Sequence, residues 1–121
     1  MHELSIAMNL IELAEGAARS AHAEHVRLVR LRLGVFAGVV KEALLFGYDI
    51  AAKGTLLEGS LLEIEDVPLV IYCPQCDRKY ELESIQSLWC PCCGHHDTDI
   101  YQGLELELTS MEIVEHENET A

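Results

Sequence analysis

Four cysteines in two pairs are the residues of this sequence whose types and spacing point most directly to chemistry. The first pair is Cys73 and Cys76, and the second pair is Cys90 and Cys93. A C-x2-C spacing lets one tight turn direct two thiolates at a single ion, and two such turns complete a tetrahedral zinc site. Because four thiolates leave no open coordination position, the sequence predicts a structural zinc rather than a catalytic one.

The cysteines also allow other interpretations. Two disulfides would need an oxidising compartment, but the N-terminal segment is interrupted by Glu3, Glu12 and Glu15 where a secretory signal would be basic and then apolar. A thiol redox enzyme typically has one C-x2-C motif at a strand-to-helix junction, whereas two occur here. The fifth cysteine, Cys92, is expected to be a free thiol, although it could replace Cys93 as a ligand. Zinc bound by the two pairs is the favoured interpretation.

A second metal site is predicted at the N-terminus, where the sequence reads Met1-His2-Glu3. A bulky histidine at position 2 is expected to protect the initiator methionine from removal, which keeps a free α-amine beside the imidazole. The amine of Met1, the amide nitrogen and imidazole of His2, and the amide nitrogen of Glu3 could then surround one ion. Planar coordination by nitrogen suits Ni(II) or Cu(II) better than Zn(II). The alternative is a disordered N-terminus.

Two histidines, His95 and His96, come directly after the second cysteine pair. Their position suggests that an imidazole could exchange with a thiolate at the zinc when the pH falls or nickel binds. The alternative is that both are solvent-facing loop residues. X-ray absorption between pH 7 and about 6 separates the two, because an unchanged shell of four sulfurs excludes the exchange.

The spacing of apolar residues predicts a first helix from Leu4 to about Ala23. Ser5 is its expected N-cap, which leaves residues 1–4 outside the helix. A strand follows from Val26 to Leu33, because alternate residues are apolar and the residues between them include arginines. The inward-facing side chains of this strand are expected to be Val29, Leu31 and Leu33.

A second helix is predicted from about Val40 to Lys53, with Gly54 as its C′ residue. Its apolar residues are too many to lie along a single face of the helix, so the helix is expected to be well buried. A second strand contains Leu62 and Ile64 and ends before Pro68. A final strand has Leu104, Leu106 and Leu108 on one face, and the apolar phase changes after Thr109, which predicts a β-bulge or bend near Ser110.

This order of elements predicts an α+β fold, with a two-layer domain of two helices on a three-stranded sheet and an inserted zinc-ribbon-like domain. Residues 1–68 would form the first part of the nickel-binding α/β domain, residues 69–103 the structural zinc domain, and residues 104–121 the final strand and tail that complete the first domain. The zinc segment is too small to fold unaided, so the metal would supply its folding free energy.

Composition restricts the partners. The sequence of 121 residues contains eight Lys and Arg and 21 Asp and Glu, which gives a net charge of −13. Such a surface repels phosphate, so nucleic acid is not an expected partner. No apolar stretch approaches the length of a membrane span, so a membrane is not expected either. An alternative function, a zinc-ribbon interaction or nucleic-acid-binding module, is disfavoured because residues 69–103 also contain more acidic than basic residues. The sequence has no recognisable catalytic triad, phosphate-binding loop or carboxylate pair, and a non-enzymatic protein of the cytoplasm is expected.

Three features together resemble the HypA/HybF family of nickel metallochaperones in [NiFe]-hydrogenase maturation. They are the opening Met1-His2-Glu3-Leu4-Ser5, Gly34 before the second helix, and the paired cysteines near the C-terminal strand. The resemblance covers essentially the whole chain. It implies that His2 is a nickel ligand surrounded by backbone nitrogens, that Glu3 tunes the site or a partner contact, and that Cys73, Cys76, Cys90 and Cys93 hold structural zinc.

The same resemblance implies a cargo and partners. Ni(II) would be carried transiently and passed, in concert with a HypB-type GTPase, to the hydrogenase large subunit precursor. In some bacteria the family also serves urease, which adds urease maturation proteins. In the loop after Gly34, where the family often has an acidic residue near the nickel site, this chain has Val39-Val40-Lys41, and Glu42 is the nearest acid. A carboxylate from that loop is therefore not expected at the nickel.

Overall fold

The structure is a computed structural model that describes residues 3–83 and 88–116. Two sheets of three strands are formed, in the orders β2-β1-β6 and β4-β3-β5. The elements follow one another as α1 (Glu3–Ser20), β1 (Ala23–Gly34), α2 (Lys41–Ala52), β2 (Leu61–Val67), β3 (Leu69–Cys73), β4 (Arg78–Leu82), β5 (Asp99–Gln102) and β6 (Leu106–Glu115). The predicted α+β fold, with two helices and a separate ribbon-like sheet, is confirmed.

The chain divides into two compact units. The first comprises Met1–Leu31, Val39–Ile64 and Leu108–Ala121, and the second comprises Arg32–Gly38 and Glu65–Glu107. The second unit thus includes the end of β1 and the residues that follow it, in addition to the cysteine-rich region. The assignment of nickel binding to one domain and zinc binding to the other stays a prediction.

The core of the first unit lies between the two helices and the sheet. Helix α1 contributes residues at helical spacing, because positions three and four apart share one face of a helix. The prediction that Val29 and Leu31 face inward is confirmed by exposures of 0% and 1%, and Leu33 is likewise buried. The buried residues of the two helices are Ile6, Ala7, Leu10, Ile11, Ala14 and Ala18 from α1, with Leu44, Gly47, Tyr48 and Ala52 from α2.

The predicted start of α1 at Ser5 is wrong, because the helix already includes Glu3 and Leu4. The Glu3 carboxylate accepts a hydrogen bond of 3.1 Å from the backbone N–H of Val40, the N-cap residue of α2. A carboxylate in the first turn is also favoured by the helix dipole. This long-range hydrogen bond links the first turn of α1 to the start of α2.

The expectation that α2 is well buried is also wrong. Phe46 is 70% exposed and Ile50 is 45% exposed. The helix packs against α1 through Gly47, where an added Cβ would lie 3.3 Å from the Cα of Leu4. One face of α2 packs against its neighbours. Side chains two positions along the chain from a buried residue therefore point away from that face.

Strand β6 differs from its predicted pattern at its beginning. The strand starts at Leu106, and Leu104 lies before it with an exposure of 54%. Leu108, Met111 and Ile113 pack against the core, so the inward-facing positions shift along the strand as expected. The β-bulge near Ser110 stays a prediction.

The arginines of β1 face glutamates on both neighbouring strands. Arg30 contacts Glu63 at 3.2 Å and Glu112 at 2.8 Å. Arg32 contacts Glu65 at 3.3 Å. The basic side chains of the central strand are therefore matched by acidic side chains within the same sheet.

In the second unit, β3 is the central strand and is antiparallel to β4 and β5. After β4, Leu88 and Trp89 are not in a strand, and residues 84–87 lie outside the described residues. In the part of the chain that the structure describes, no helix is long and apolar enough to cross a bilayer.

Two glycines allow a close backbone approach in the second unit. An added Cβ at Gly34 would lie 2.1 Å from the carbonyl oxygen of Gly103. The same carbonyl accepts a hydrogen bond of 2.7 Å from the backbone N–H of Phe36. Gly103 itself has a φ of 122°, which side chains rarely tolerate. Glycine is needed at both positions.

Candidate metal centre

The structure brings together the sulfur atoms of the four predicted zinc ligands. The sulfurs of Cys73, Cys76, Cys90 and Cys93 all lie within 4.8 Å of one another. The distance is 3.7 Å from Cys73 Sγ to Cys93 Sγ and 3.8 Å from Cys76 Sγ to Cys90 Sγ. A tetrahedral zinc with Zn–S bonds of about 2.3 Å requires sulfurs about 3.8 Å apart. The spacing of the sulfurs therefore fits zinc.

The first cysteine pair is shaped by the turn between β3 and β4. Cys73 is the last residue of β3 and pairs with Arg78, the first residue of β4. Within this turn the backbone N–H of Cys76 donates to Cys73 Sγ at 3.4 Å. Asp77 has a positive φ of 53° and accepts a hydrogen bond from the Tyr72 hydroxyl. The hairpin thus holds two sulfurs on one side of a tight turn.

The second cysteine pair is shaped by a turn without flanking strands. The backbone N–H groups of Cys92 and Cys93 donate to Cys90 Sγ at 3.4 and 3.5 Å. The N–H of Gly94 donates to the carbonyl of Cys90, and Gly94 has a φ of 76°. Glycine therefore allows the left-handed residue that closes the turn.

The thiols influence one another's ionisation. Burial opposes ionisation of Cys90, yet the backbone N–H groups of Cys93 and Cys92, together with the thiols of Cys93 and Cys73, lower the pKa of Cys90 to about 6. The hydrogen bond with the Cys93 thiol is the largest effect on Cys76, and the pKa of Cys76 is raised to about 12. Neighbouring sulfurs resist carrying charge together. A bound cation that replaces the thiol protons would offset the repulsion between the negatively charged sulfurs.

The described cluster includes Cys93 and does not include Cys92, whose side chain is exposed. The arrangement matches the prediction that Cys92 is a free thiol and does not favour its replacement of Cys93. The two neighbouring histidines are also outside the cluster. The His96 ring stacks on Trp89 with centroids 3.9 Å apart, and the His95 carbonyl accepts a hydrogen bond from the backbone of Cys90. Ligation by His95 or His96 stays a prediction.

Of the predicted nickel ligands, Met1 and His2 lie outside the described residues. Glu3 is described, and the hydrogen bond from Val40 to its carboxylate ties the start of α1 to the start of α2. Sequence reasoning missed this contact. One signal was present, because Val40 has no side chain that could cap α2 and its N–H needs a partner from elsewhere.

Comparison with known proteins shows which protein family this chain resembles. The family model described as "HypA: Hydrogenase/urease nickel incorporation, metallochaperone, hypA" matches residues 1–113. A hydrogenase maturation factor HypA from Roseiflexus sp. (strain RS-1) is 51% identical, with 93% of this chain and 91% of the relative aligned. A HypA from Chloroflexus aurantiacus (strain ATCC 29366 / DSM 635 / J-10-fl) is 45% identical over 93% of this chain and 98% of the relative.

Two solved structures share the fold. The solution structure of the Ni metallochaperone HypA from Helicobacter pylori aligns with a TM-score of 0.70 and 24% identity, over 96% of this chain and all of that one. A second solution structure, of a HypA protein, aligns with a TM-score of 0.72 and 23% identity, over 96% of this chain and 98% of that one.

The fold and the sulfur cluster define a small α+β protein with a candidate four-cysteine metal centre. The chain belongs to the HypA family of hydrogenase and urease nickel-incorporation metallochaperones. The resemblance noted from the opening residues and cysteine pairs is confirmed. The expectation of a non-enzymatic protein is confirmed by the family, because a metallochaperone carries a metal rather than converting a substrate.

Proposed function

We propose that this chain binds Ni(II) at its N-terminus and delivers it for [NiFe]-hydrogenase maturation. The ligands are the amine of Met1, the amide nitrogen and imidazole of His2, and the amide nitrogen of Glu3. Planar nitrogen coordination selects Ni(II) over Zn(II). Membership of a nickel-incorporation family supports the choice of metal.

The observation that carries this proposal is the fixed position of Glu3. Its carboxylate accepts the hydrogen bond from Val40, and its carbonyl oxygen lies 3.6 Å from where a Cβ on Gly47 would stand. Residue 3 is thus held against α2, directly after the proposed ligands Met1 and His2. A chelating segment attached to a fixed residue loses less conformational freedom on binding an ion, which favours affinity.

The four clustered cysteines bind Zn(II) in this proposal, and the zinc is structural. The spacing of the sulfurs fits zinc, and the buried core of the second unit is small. Within the described residues it consists of Leu33, Val67, Leu69, Ile71, Cys73 and Cys90. Binding energy from a four-thiolate zinc then serves as folding energy for this unit. Zinc stays with the chain while nickel is passed on, because the two sites differ in donor atoms.

Delivery requires a partner. In this proposal a HypB-type GTPase acts with the chain and the hydrogenase large subunit precursor receives the nickel, with urease maturation proteins as further partners in some organisms. A terminal site built from amine and imidazole nitrogens releases its ion readily, because protons compete for the same atoms. The cytoplasm is the proposed location, since reduced thiols are needed for zinc.

Nickel titration of the untagged protein tests the site. We expect His2→Ala to abolish Ni(II) binding while the zinc content is unchanged. His25→Ala is a matched control, because it also removes one imidazole, that of an exposed histidine at the beginning of β1, and this variant should bind nickel as the unaltered protein does. A peptide added before Met1 should act like His2→Ala, because it converts the α-amine into an amide. Equal nickel binding by His2→Ala and the unaltered protein would overturn the assignment.

A further inference from the structure

The hydroxyl of Tyr80 is a buried polar group for which the established family role gives no use. Tyr80 lies in β4, opposite Ile71 of β3. Its oxygen is buried and has no hydrogen-bond partner within the described part of the chain. Buried hydroxyls without a partner are rare, because burial removes their hydrogen bonds to water. The position therefore calls for an acceptor that appears under some condition.

The strand register puts Tyr80 beside the cysteine cluster. Since Ile71 pairs with Tyr80 and Cys73 pairs with Arg78, the side chains of Tyr80 and Cys73 lie on the same face of the sheet as diagonal neighbours. The Cys76 sulfur is the largest influence that raises the pKa of Tyr80, followed by the sulfur of Cys92. The hydroxyl thus faces sulfur atoms, although no hydrogen-bond geometry is reached.

The four sulfurs differ in the donors that they receive. Cys73 Sγ accepts the N–H of Cys76, and Cys90 Sγ accepts two N–H groups. For Cys76 Sγ and Cys93 Sγ, the hydrogen bonds formed within the described residues as acceptors or donors are with neighbouring thiols. Of these two sulfurs, Cys76 Sγ belongs to the same hairpin as Tyr80, because Cys76 lies in the turn that joins β3 to β4. Cys76 lacks a donor, and Tyr80 lacks an acceptor.

We propose that Tyr80 is a positioning residue of the metal centre, and that its hydroxyl donates a hydrogen bond to Cys76 Sγ when this sulfur is a metal-bound thiolate. A thiol sulfur is a weak acceptor, whereas a hydrogen bond to an ionised group is shorter and stronger. The bond partly neutralises charge on the Cys76 sulfur, makes it less reactive toward protons and fixes its orientation. Cys92 is a less suitable acceptor, because it is exposed and lies outside the four-sulfur cluster.

This inference rests on the proposed four-thiolate metal site and is independent of nickel. The test compares Tyr80→Phe with Tyr101→Phe. The control is matched because Tyr101 lies in β5 of the same sheet and its side chain is exposed. The change to phenylalanine removes only the hydroxyl and keeps the ring, whose centroid lies 3.6 Å from Lys79 Nζ. Two quantities are measured, namely the rate of zinc loss to excess chelator and the energy of the sulfur-to-metal charge-transfer band after replacement of zinc by Co(II).

We expect Tyr80→Phe to lose zinc about tenfold faster, in keeping with the effect of other groups that hydrogen-bond to metal ligands. Its charge-transfer band should move to lower energy, because a thiolate without the hydrogen bond gives up electron density more easily. Tyr101→Phe should change neither quantity. An unmoved band in Tyr80→Phe would overturn the proposal even if zinc loss were faster, since looser packing alone would explain the faster loss.

A measurement on the unaltered protein guards against a folding defect in the variant. With NMR-active cadmium in the sulfur site, the proposed bond predicts scalar coupling between the metal and the hydroxyl proton of Tyr80. Absence of this coupling, with the backbone N–H couplings to cadmium present, would contradict the proposal. If the unaltered protein binds neither zinc nor cadmium, the proposed zinc site itself fails, which is a separate result.

Discussion

At the scale of single residues, neighbouring cysteines have different environments despite their nearly identical sequence context. Cys90 is buried and receives two backbone N–H groups, which lower its pKa to about 6. Cys92 is two residues away, is exposed and lies outside the cluster. Backbone geometry within one turn therefore brings Cys90 into the four-sulfur cluster and leaves Cys92 outside it.

This difference predicts opposite results for two serine substitutions. Cys90→Ser should abolish stoichiometric zinc binding, because serine oxygen is a poor replacement for a thiolate ligand of zinc. Cys92→Ser should keep the full zinc content. Elemental analysis of the purified proteins measures both. Zinc loss in Cys92→Ser, with zinc retained in Cys90→Ser, would mean that the second pair uses a different sulfur.

At the scale of elements, close backbone approaches limit which residues the sequence can vary. Gly34 ends β1 and leaves no room for a Cβ beside Gly103, whereas Gly16 in α1 has nothing within 4 Å of its added Cβ. One glycine is thus required by packing, and the other weakens a helix through its conformational freedom.

The two glycines predict a pair of alanine variants with opposite signs. Gly34→Ala should lower the free energy of unfolding by about 3 kcal/mol, because the backbone must move to relieve the overlap. Gly16→Ala should raise it by up to about 1 kcal/mol, because alanine is favoured in helices. Urea denaturation of the zinc-loaded proteins measures both. Equal stability of Gly34→Ala and the unaltered protein would argue against the close approach to Gly103.

At the scale of the whole molecule, the two units depend on different sources of stability. The first has a core formed by helices and a sheet. The second has a small apolar core that includes Leu69 and Ile71, and its two cysteine turns meet at the candidate metal centre. Small segments of this kind commonly fold only with their metal.

Removal of zinc is therefore expected to unfold the second unit and leave the first unit folded. Trp89 is the one tryptophan in the sequence, and it stacks on His96 beside the second cysteine pair. Its fluorescence should change when a chelator removes zinc, while the helical circular dichroism is largely kept. Simultaneous loss of both signals would show that the first unit also needs the metal.

The sequence predicted local features well where one physical effect dominates. The paired cysteines come together because C-x2-C spacing strongly favours a shared ion, and β1 buries its apolar residues because alternation leaves one choice of face. The start of α1 was mispredicted because the Val40 contact to Glu3 spans distant positions. The exposure of Phe46 was mispredicted because composition does not reveal which helix face meets a neighbour.

The candidate site was predictable only in its ligands. Spacing identifies four sulfurs, but the hydroxyl of Tyr80 enters through strand register, which aligns β4 with β3. Register depends on the turn and on contacts between strands, so a reading of neighbouring residues does not reveal it. Groups that act on ligands rather than on the metal are thus the part of the site that needs a structure.

The pairing of arginines and glutamates across β1 has a consequence for how ions reach this protein. Arg27, Arg30 and Arg32 are matched by glutamates of the neighbouring strands, so several of its few cations are already neutralised locally. The excess of acidic side chains over the remaining surface then generates an attractive potential for divalent cations in solution. Such a potential concentrates nickel around the chain before any ligand is engaged, and dissolved salt weakens it.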